Sequence, residues 1–544
     1  MLKRISWAVV AIIVLWAACF WYVLELQRVF YTSTGPYFDS VSYYMQLAWS
    51  IEKVHSAGFW RALSGAFVGS NVAIVGVVGS LIGLLTDKPA LWMGPAIQAP
   101  WILLFWLTLY GYFRRALDQT RLISLLASSL FIINAGMLYF DRGWSDFAMD
   151  LMGYVILGNA LVFYFWSCHS DRRWPLVAAG LLFGFTTWWR VPDAVYIALI
   201  LLPLEILRFW KAPSKWAWLK RLLWLAIPAA LVAGVFLVPN RTFLHWYYVI
   251  MNVDVNAHQP LAQSLRHWEY LWHDRMGTLV VGVLLAWFMV RTLQVLASYR
   301  RDRVCTPLNW GFLWCGLVPV GYLIFSGSGP NAYVCFPSVF GLSLFLLFPW
   351  KHNGRLTAIA IAILALLTLG CWGQVLLDSY ARHVAGQAEL PRAAMEAALS
   401  YLTQDAQARH LSRATVAVGY VGFWNAYAWQ HMLVYLHSAH IGADGAVCYQ
   451  QTTFTPRVHY DWMDAIQSGS PAALDRSFGG LDYIYLLKPS VTGRFTRVRW
   501  GDTSTAFIDR FARAIHQRYT LIPVGAPVVL SDFEQFRLFR LMPR

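Results

Sequence analysis

Asp39 is the first residue in the chain placed to do chemistry. It lies in GPYFDSVSYYMQLAWS, just past an apolar run from Ile5 to Leu26. An ionised carboxylate accepts hydrogen bonds only, and it can take a proton from a hydroxyl. The residues after it offer a second role. Val41, Tyr44, Met45, Ala48 and Ile51 fall on one helical face and Ser42, Gln46, Ser50 and Lys53 on the other. That pattern predicts a helix lying along a membrane surface, with Asp39 as its N-cap. The helix dipole keeps a capping carboxylate ionised. Asp39 is therefore either a cap alone or a cap that also serves as a base.

A second acidic cluster, YFDRGWSDFAMD, holds Asp141, Arg142, Asp146 and Asp150. Asp146 and Asp150 are four apart and share a helix face. An acid about one turn inside a bilayer is costly and points to function; a surface Asp–Arg network is the alternative. Arg190 closes GLLFGFTTWWRVPDAV. Its guanidinium can hold a phosphate bidentately, or it can snorkel beside Trp188 and Trp189. His245, His258, His267 and His273 sit in the stretch 240–277, and their spacing fits no zinc template. They read better, with the aromatic residues around them, as the lining of an acceptor groove. Tyr333, in SGSGPNAYVCFP, is the expected contact from a short loop that closes the site.

These residues need a membrane scaffold, and the composition supplies one. Apolar residues make up 58% of the chain and charged residues 13%, with a mean hydropathy of +0.48. Soluble chains carry roughly twice that charged fraction. The 29 Trp and 27 Tyr suit a protein with two headgroup-level belts. The hydropathy pattern predicts about eleven spans, near 5–26, 96–113, 122–140, 147–167, 175–190, 193–209, 222–239, 278–297, 308–326, 334–350 and 356–377. Residues 64–86 are apolar but rich in Gly and Ser, and read as an interfacial or re-entrant segment of the first outer loop.

The net charge of +15 invites a nucleic-acid reading, but its distribution argues otherwise. Residues 378–544 hold 16 Lys and Arg against 13 Asp and Glu; the other 27 cations belong to the membrane half. Most of those fall in short loops on one side: around Arg114 and Arg121, Arg172 and Arg173, Arg208 to Arg221, and Arg300 to Arg303. By the positive-inside rule this side is cytoplasmic, as is the N-terminus. Most acids, including Asp39, Asp141, Asp146, Asp150 and Asp193, then lie outside, where nucleotide sugars and ATP are out of reach. Seven scattered cysteines with no CxxC pair give no zinc site. Residues 378–544 alternate strand-like stretches (ATVAVGY, DYIYLLKP, RYTLIPVG, FRLFRLMP) with helix-like ones (LPRAAMEAALSYLTQ, TAFIDRFARAIHQR). This predicts an α/β layer fold.

Together these features resemble the GT-C superfamily of integral-membrane glycosyltransferases. The similarity is greatest to the branch of aminoarabinose transferases and protein O-mannosyltransferases. It rests on FDSVSYY opening the first outer loop, an acidic cluster after span three, and GFTTWWR ending span five in a cation. The family often has Asp-Glu where this chain has Asp39-Ser40, and often Lys where it has Arg190. The resemblance implies a polytopic α-helical domain over 1–377, with interfacial helices in the first outer loop, and a soluble extracytoplasmic α/β domain over 378–544. It implies an inverting enzyme of the bacterial inner membrane. A sugar on a polyprenyl phosphate would be the donor, and a hydroxyl of a glycan, lipid or protein the acceptor. Asp39 would be the general base and Asp146 would orient it. Arg190, Arg142 and Arg275 would hold the donor phosphate. Tyr43, Tyr44, Asp141, His258 and Tyr333 would contact sugar or acceptor. No cofactor is required, though a divalent cation stays open, and no nucleic-acid partner is expected. Two readings from other classes remain: a lipid-linked sugar flippase or transporter, and a non-catalytic membrane protein that binds glycan.

Overall fold

A computed structural model describes residues 6–33, 39–68, 72–87, 92–133, 149–170, 172–191, 193–245, 306–325, 392–411, 414–419, 439–441, 447–449, 454–457, 480–489, 515–531 and 534–544, with scattered residues at 90, 138, 143–144 and 147 and between 288 and 377. The chain divides into two compact units. One comprises Met1–Leu26, Lys53–Leu81 and Met93–Tyr380. The other comprises Gln27–Glu52, Ile82–Trp92 and Ala381–Arg544.

The first unit is helical. Among the described residues, three helices are long and apolar enough to cross a bilayer, with spans Trp7–Gln27, Met93–Ala116 and Lys215–His245. They belong to α1 (Trp7–Ser33), α5 (Met93–Gly111, running on into a π-helical turn Tyr112–Ala116) and α10 (Lys215–His245). Between α5 and α10 come α6 (Arg121–Ser129), α7 (Met149–Ser167), α8 (Trp174–Trp189) and α9 (Asp193–Lys211); α11 (Pro307–Phe325) follows. The helix α6 departs from the span expected over 122–140, because it ends at Ser129. Ser128 and Ser129 turn their hydroxyls back onto the Leu125 carbonyl, and Phe131 and Ile132 close tighter three-residue turns. Such back-bonding competes with the helical ladder.

After α1, α2 (Asp39–Ala57) leads to α3 (Phe59–Ala66) and α4 (Ala73–Ile82). The apolar segment 64–86 is thus broken between two short helices. Ten residues rise about 15 Å, half the hydrocarbon thickness, so α4 cannot cross alone. It is held from the bundle side instead. Ala73 is buried with Phe236 and Leu244 of α10, and Phe67, Trp188 and Val191 pack against them. Asn240 of α10 donates its amide N–H to the Phe67 carbonyl.

Small residues and indoles set the helix packing. α8 lies along α7 and α10. Gly180 and Gly184, one turn apart, meet the Leu225 and Ala229 carbonyls of α10 so closely that a Cβ on either would overlap them. Backbones approach this way in membranes because lipid offers helices no hydrophobic drive to associate. Trp188 donates to the Val232 carbonyl at 2.9 Å, and Trp16 to that of Ala99 at 3.0 Å. Trp314 donates to Leu199 at 2.7 Å. Pro203 lies four residues after Leu199 and has no N–H to give it; the indole of α11 supplies the missing donor.

In the second unit, α12 (Arg392–Ala408) packs on a five-stranded sheet of order β4-β1-β5-β7-β6. The strands are β1 (Ala414–Gly419), β4 (Phe454–Arg457), β5 (Tyr483–Pro489), β6 (Tyr519–Ser531) and β7 (Glu534–Pro543). β1 runs parallel to β4 and β5, whereas β7 is antiparallel to β5 and β6. A separate hairpin pairs β2 (Ala439–Ile441) with β3 (Val447–Tyr449). One polar cluster ties α12 to the sheet. Asp405 accepts from Tyr483 Oη at 2.7 Å and pairs with Arg540 at 2.6 Å, and Arg409 lies over the Tyr483 ring at 5.5 Å.

Candidate functional site at the Arg190 end of the bundle

The helices α7 to α10 alternate in direction, which sorts their ends. The α7–α8 and α9–α10 turns meet at one end. There Arg208 donates to Tyr164 Oη and to Glu205, both at 2.9 Å, and Arg221 donates to Ser167 at 3.1 Å. Trp218 donates to Glu205 at 3.0 Å. The start of α7 and the α8–α9 turn meet at the opposite end, where Arg190 lies.

The local sequence explains the turn. α8 ends at Trp189, and Arg190 is extended, with φ −156° and ψ 105°. Pro192 follows Val191 and disfavours helix there. α9 restarts at Asp193, whose amide donates to the Arg190 carbonyl at 3.2 Å. Asp193 is fully buried in the first turn of α9, where the helix dipole favours a negative charge. Its Oδ1 lies 3.9 Å from Arg190 Nε. The Arg190 side chain is 16% exposed, so it turns into the protein instead of lying along lipid. Trp188 and Trp189 pack inward too; Trp189 is fully buried.

Gly153 of α7 closes the pair from below. A Cβ there would overlap the Asp193 carboxylate and come within 3.3 Å of Arg190 Cδ. Asp150 stands three residues earlier on the same helix. Its side chain lies outside the described residues. Neither Asp193 nor Gly153 had a role in the sequence reading. The spacing Arg-Val-Pro-Asp was the available signal for Asp193, because it sets a cation and an acid on either side of one tight turn. A guanidinium has five N–H donors, enough to hold Asp193 and a phosphate together.

The remaining site residues are placed less fully. α2 begins at Asp39, whose side chain lies outside the described residues. So do Asp141, Arg142, Asp146, His258, Arg275 and Tyr333. Tyr43 is half-buried. Tyr44 is 1% exposed and its hydroxyl accepts from Gln27 Nε2 at 2.6 Å. Tyr44, Leu47, Ala48 and Ile51 form one buried stripe of α2. That stripe makes Tyr44 part of the seat of the helix.

No protein-family model matches the chain, and no curated protein matches it in sequence. Solved structures do. The fold is similar to that of ArnT from Cupriavidus metallidurans, a structure bound to undecaprenyl phosphate. The TM-score is 0.53 at 10% identity, covering 98% of this chain and 97% of that one. The oligosaccharyltransferase of Archaeoglobus fulgidus also matches, in its apo form at a TM-score of 0.47 and 11% identity, over 89% of this chain and 70% of that one. The match to ArnT runs from end to end of both chains and is a likeness of fold.

Proposed function

We propose that this chain is an inverting glycosyltransferase that moves a sugar from a polyprenyl phosphate to an acceptor hydroxyl on the extracytoplasmic face of the membrane. The observation that carries the reading is the end-to-end likeness to a fold that binds undecaprenyl phosphate in ArnT. A buried Arg–Asp pair at the bundle end opposite the cation-rich turns supports it. In this reading Arg190, with Arg142 and Arg275, stabilises the leaving phosphate as charge develops on it. Asp39 takes the proton of the acceptor hydroxyl as that oxygen attacks the anomeric carbon. The sugar–phosphate bond breaks on the opposite face, which inverts the centre. A single displacement needs no second catalytic carboxylate, unlike retaining glycoside hydrolysis. Asp146 orients the base or the acceptor.

The test is transfer by the purified protein, supplied with polyprenyl-phosphate sugars and envelope glycolipids as acceptors. Acceptor-dependent release of free polyprenyl phosphate is expected, with inversion at the anomeric carbon of the product. Asp39→Asn is expected to slow release by about 10² to 10⁴ and to leave undecaprenyl-phosphate binding intact. Transfer by the Asn variant at the wild-type rate would sink the base assignment. Lipid scrambling without any transfer would favour the flippase instead.

A further inference from the structure

The cation-rich end of the bundle carries an ordered stripe that glycosyl transfer does not use. Trp216, Lys220 and Trp224 follow one another at four-residue spacing along α10 and share a face. Trp216 is 61% and Trp224 44% exposed, and Lys220 is exposed. Lys220 Nζ lies 5.5 Å from the centre of the Trp216 ring. Arg173, from the turn before α8, reaches across to lie 5.5 Å above Trp224. The result is an alternation of indole, ammonium, indole and guanidinium. Below it the same helix offers Ile227 and Leu231, 52% and 68% exposed. Lys215, just before the stripe, caps the carbonyls of Trp210 and Ala212 at 3.1 and 3.3 Å. Among the described acids at this end, Glu205 is 7% exposed and taken up by Arg208 and Trp218, and the exposed Asp118 pairs with Arg114 at 3.5 Å.

We propose that this stripe is a binding site for one anionic phospholipid of the surrounding leaflet. Its phosphodiester would sit between Lys220 and Arg173, its glycerol on Trp224 and an acyl chain over Ile227 and Leu231. The charge pattern selects the occupant. Two cations held on indole faces, with the described acids at this end, Glu205 and Asp118, each paired with an arginine of its own, complement a net negative headgroup. They would repel the ammonium of a zwitterionic one. Residues Lys215 to Trp224 rise about 14 Å along the helix, enough to pass from headgroup level into the acyl region. The proposal is independent of the sugar chemistry at the other end.

Delipidated full-length protein in detergent, titrated with phosphatidylglycerol or phosphatidylcholine and read by native mass spectrometry, tests it. Wild type is expected to retain phosphatidylglycerol preferentially. A cation near a headgroup contributes on the order of fivefold. Lys220→Gln should therefore lose about fivefold, and Lys220→Gln with Arg173→Gln about 30-fold. Arg115→Gln with Arg121→Gln removes the same charge at the same end, from exposed positions off the stripe, and should lose little. Equal retention of the two lipids by wild type would overturn the proposal. So would equal losses in the two double variants, which would mean a diffuse charge effect and no site. Lys220→Gln alone changes one exposed side chain, so the fivefold loss can be read even if the double variant is poorly folded.

Discussion

At the scale of single residues, the pairing of Arg190 with Asp193 depends on a hydrogen atom at Gly153. Gly153→Ala puts a methyl group where the Asp193 carboxylate lies, and the pair must move. The expected outcome is a loss of undecaprenyl-phosphate affinity comparable with that of Arg190→Gln, with the helical content unchanged, read by lipid-binding titration and circular dichroism. Arg190→Lys should not restore it, because an ammonium cannot make the planar two-pronged contact. Arg190 was legible in the sequence because a cation ending an apolar run is locally unusual. Its partner was not, since the burial of Asp193 is imposed by a glycine forty residues away on another helix. In the second unit, burial, aided by the hydrogen bond to Asp405, pushes the Tyr483 phenol up to about 12. A raised value means that the folded state holds the proton more tightly than the unfolded one. The stabilisation is then fully present below about pH 10 and is lost as pH rises toward 12. Tyr483→Phe removes the titrating group. The excess stability of wild type over this variant should therefore shrink between pH 10 and 12 and stay constant below that, as measured by pulse proteolysis of the full chain.

At the scale of elements, the seam between α8 and α10 is set by Gly180 and Gly184. Gly184→Val forces side-chain atoms onto the Ala229 carbonyl and Val232. Overpacking of this kind costs about 1–3 kcal/mol, so the thermal unfolding midpoint should fall. A Gly234→Ala control, at a position with open space around it, should leave it unchanged. Hydropathy found the apolar stretches because lipid demands them over some twenty residues. It could not find where α6 stops, because the serine hydroxyls that compete with its backbone are as compatible with a helix as with its end. Nor could it break 64–86 in two. That break follows from the docking of Phe67 and Ala73 on α10, a contact more than 160 residues distant along the chain.

At the scale of the whole molecule, the separation of Arg190 from the Arg208–Arg221 cluster onto opposite bundle ends makes orientation testable. Cysteine labelling in intact cells, with native cysteines replaced by serine, is the measurement. Ser170→Cys, in the turn before α8, should be shielded from a membrane-impermeant maleimide until the cells are permeabilised. Gln404→Cys, exposed on α12, should label without permeabilisation. The opposite pattern would invert the proposed site. The interleaving of the two units has a further consequence, for synthesis. Gln27–Glu52 and Ile82–Trp92 belong with Ala381–Arg544, so about 290 residues are translated after the early pieces before the rest of their unit begins to appear. At about 5–20 residues per second that wait lasts roughly 15–60 s. Through that interval the nascent chain carries a half-built unit, with the apolar residues Tyr44, Leu47, Ala48 and Ile51 of α2 already made. Chaperones and quality-control proteases would meet the protein first at the segment that begins with Asp39.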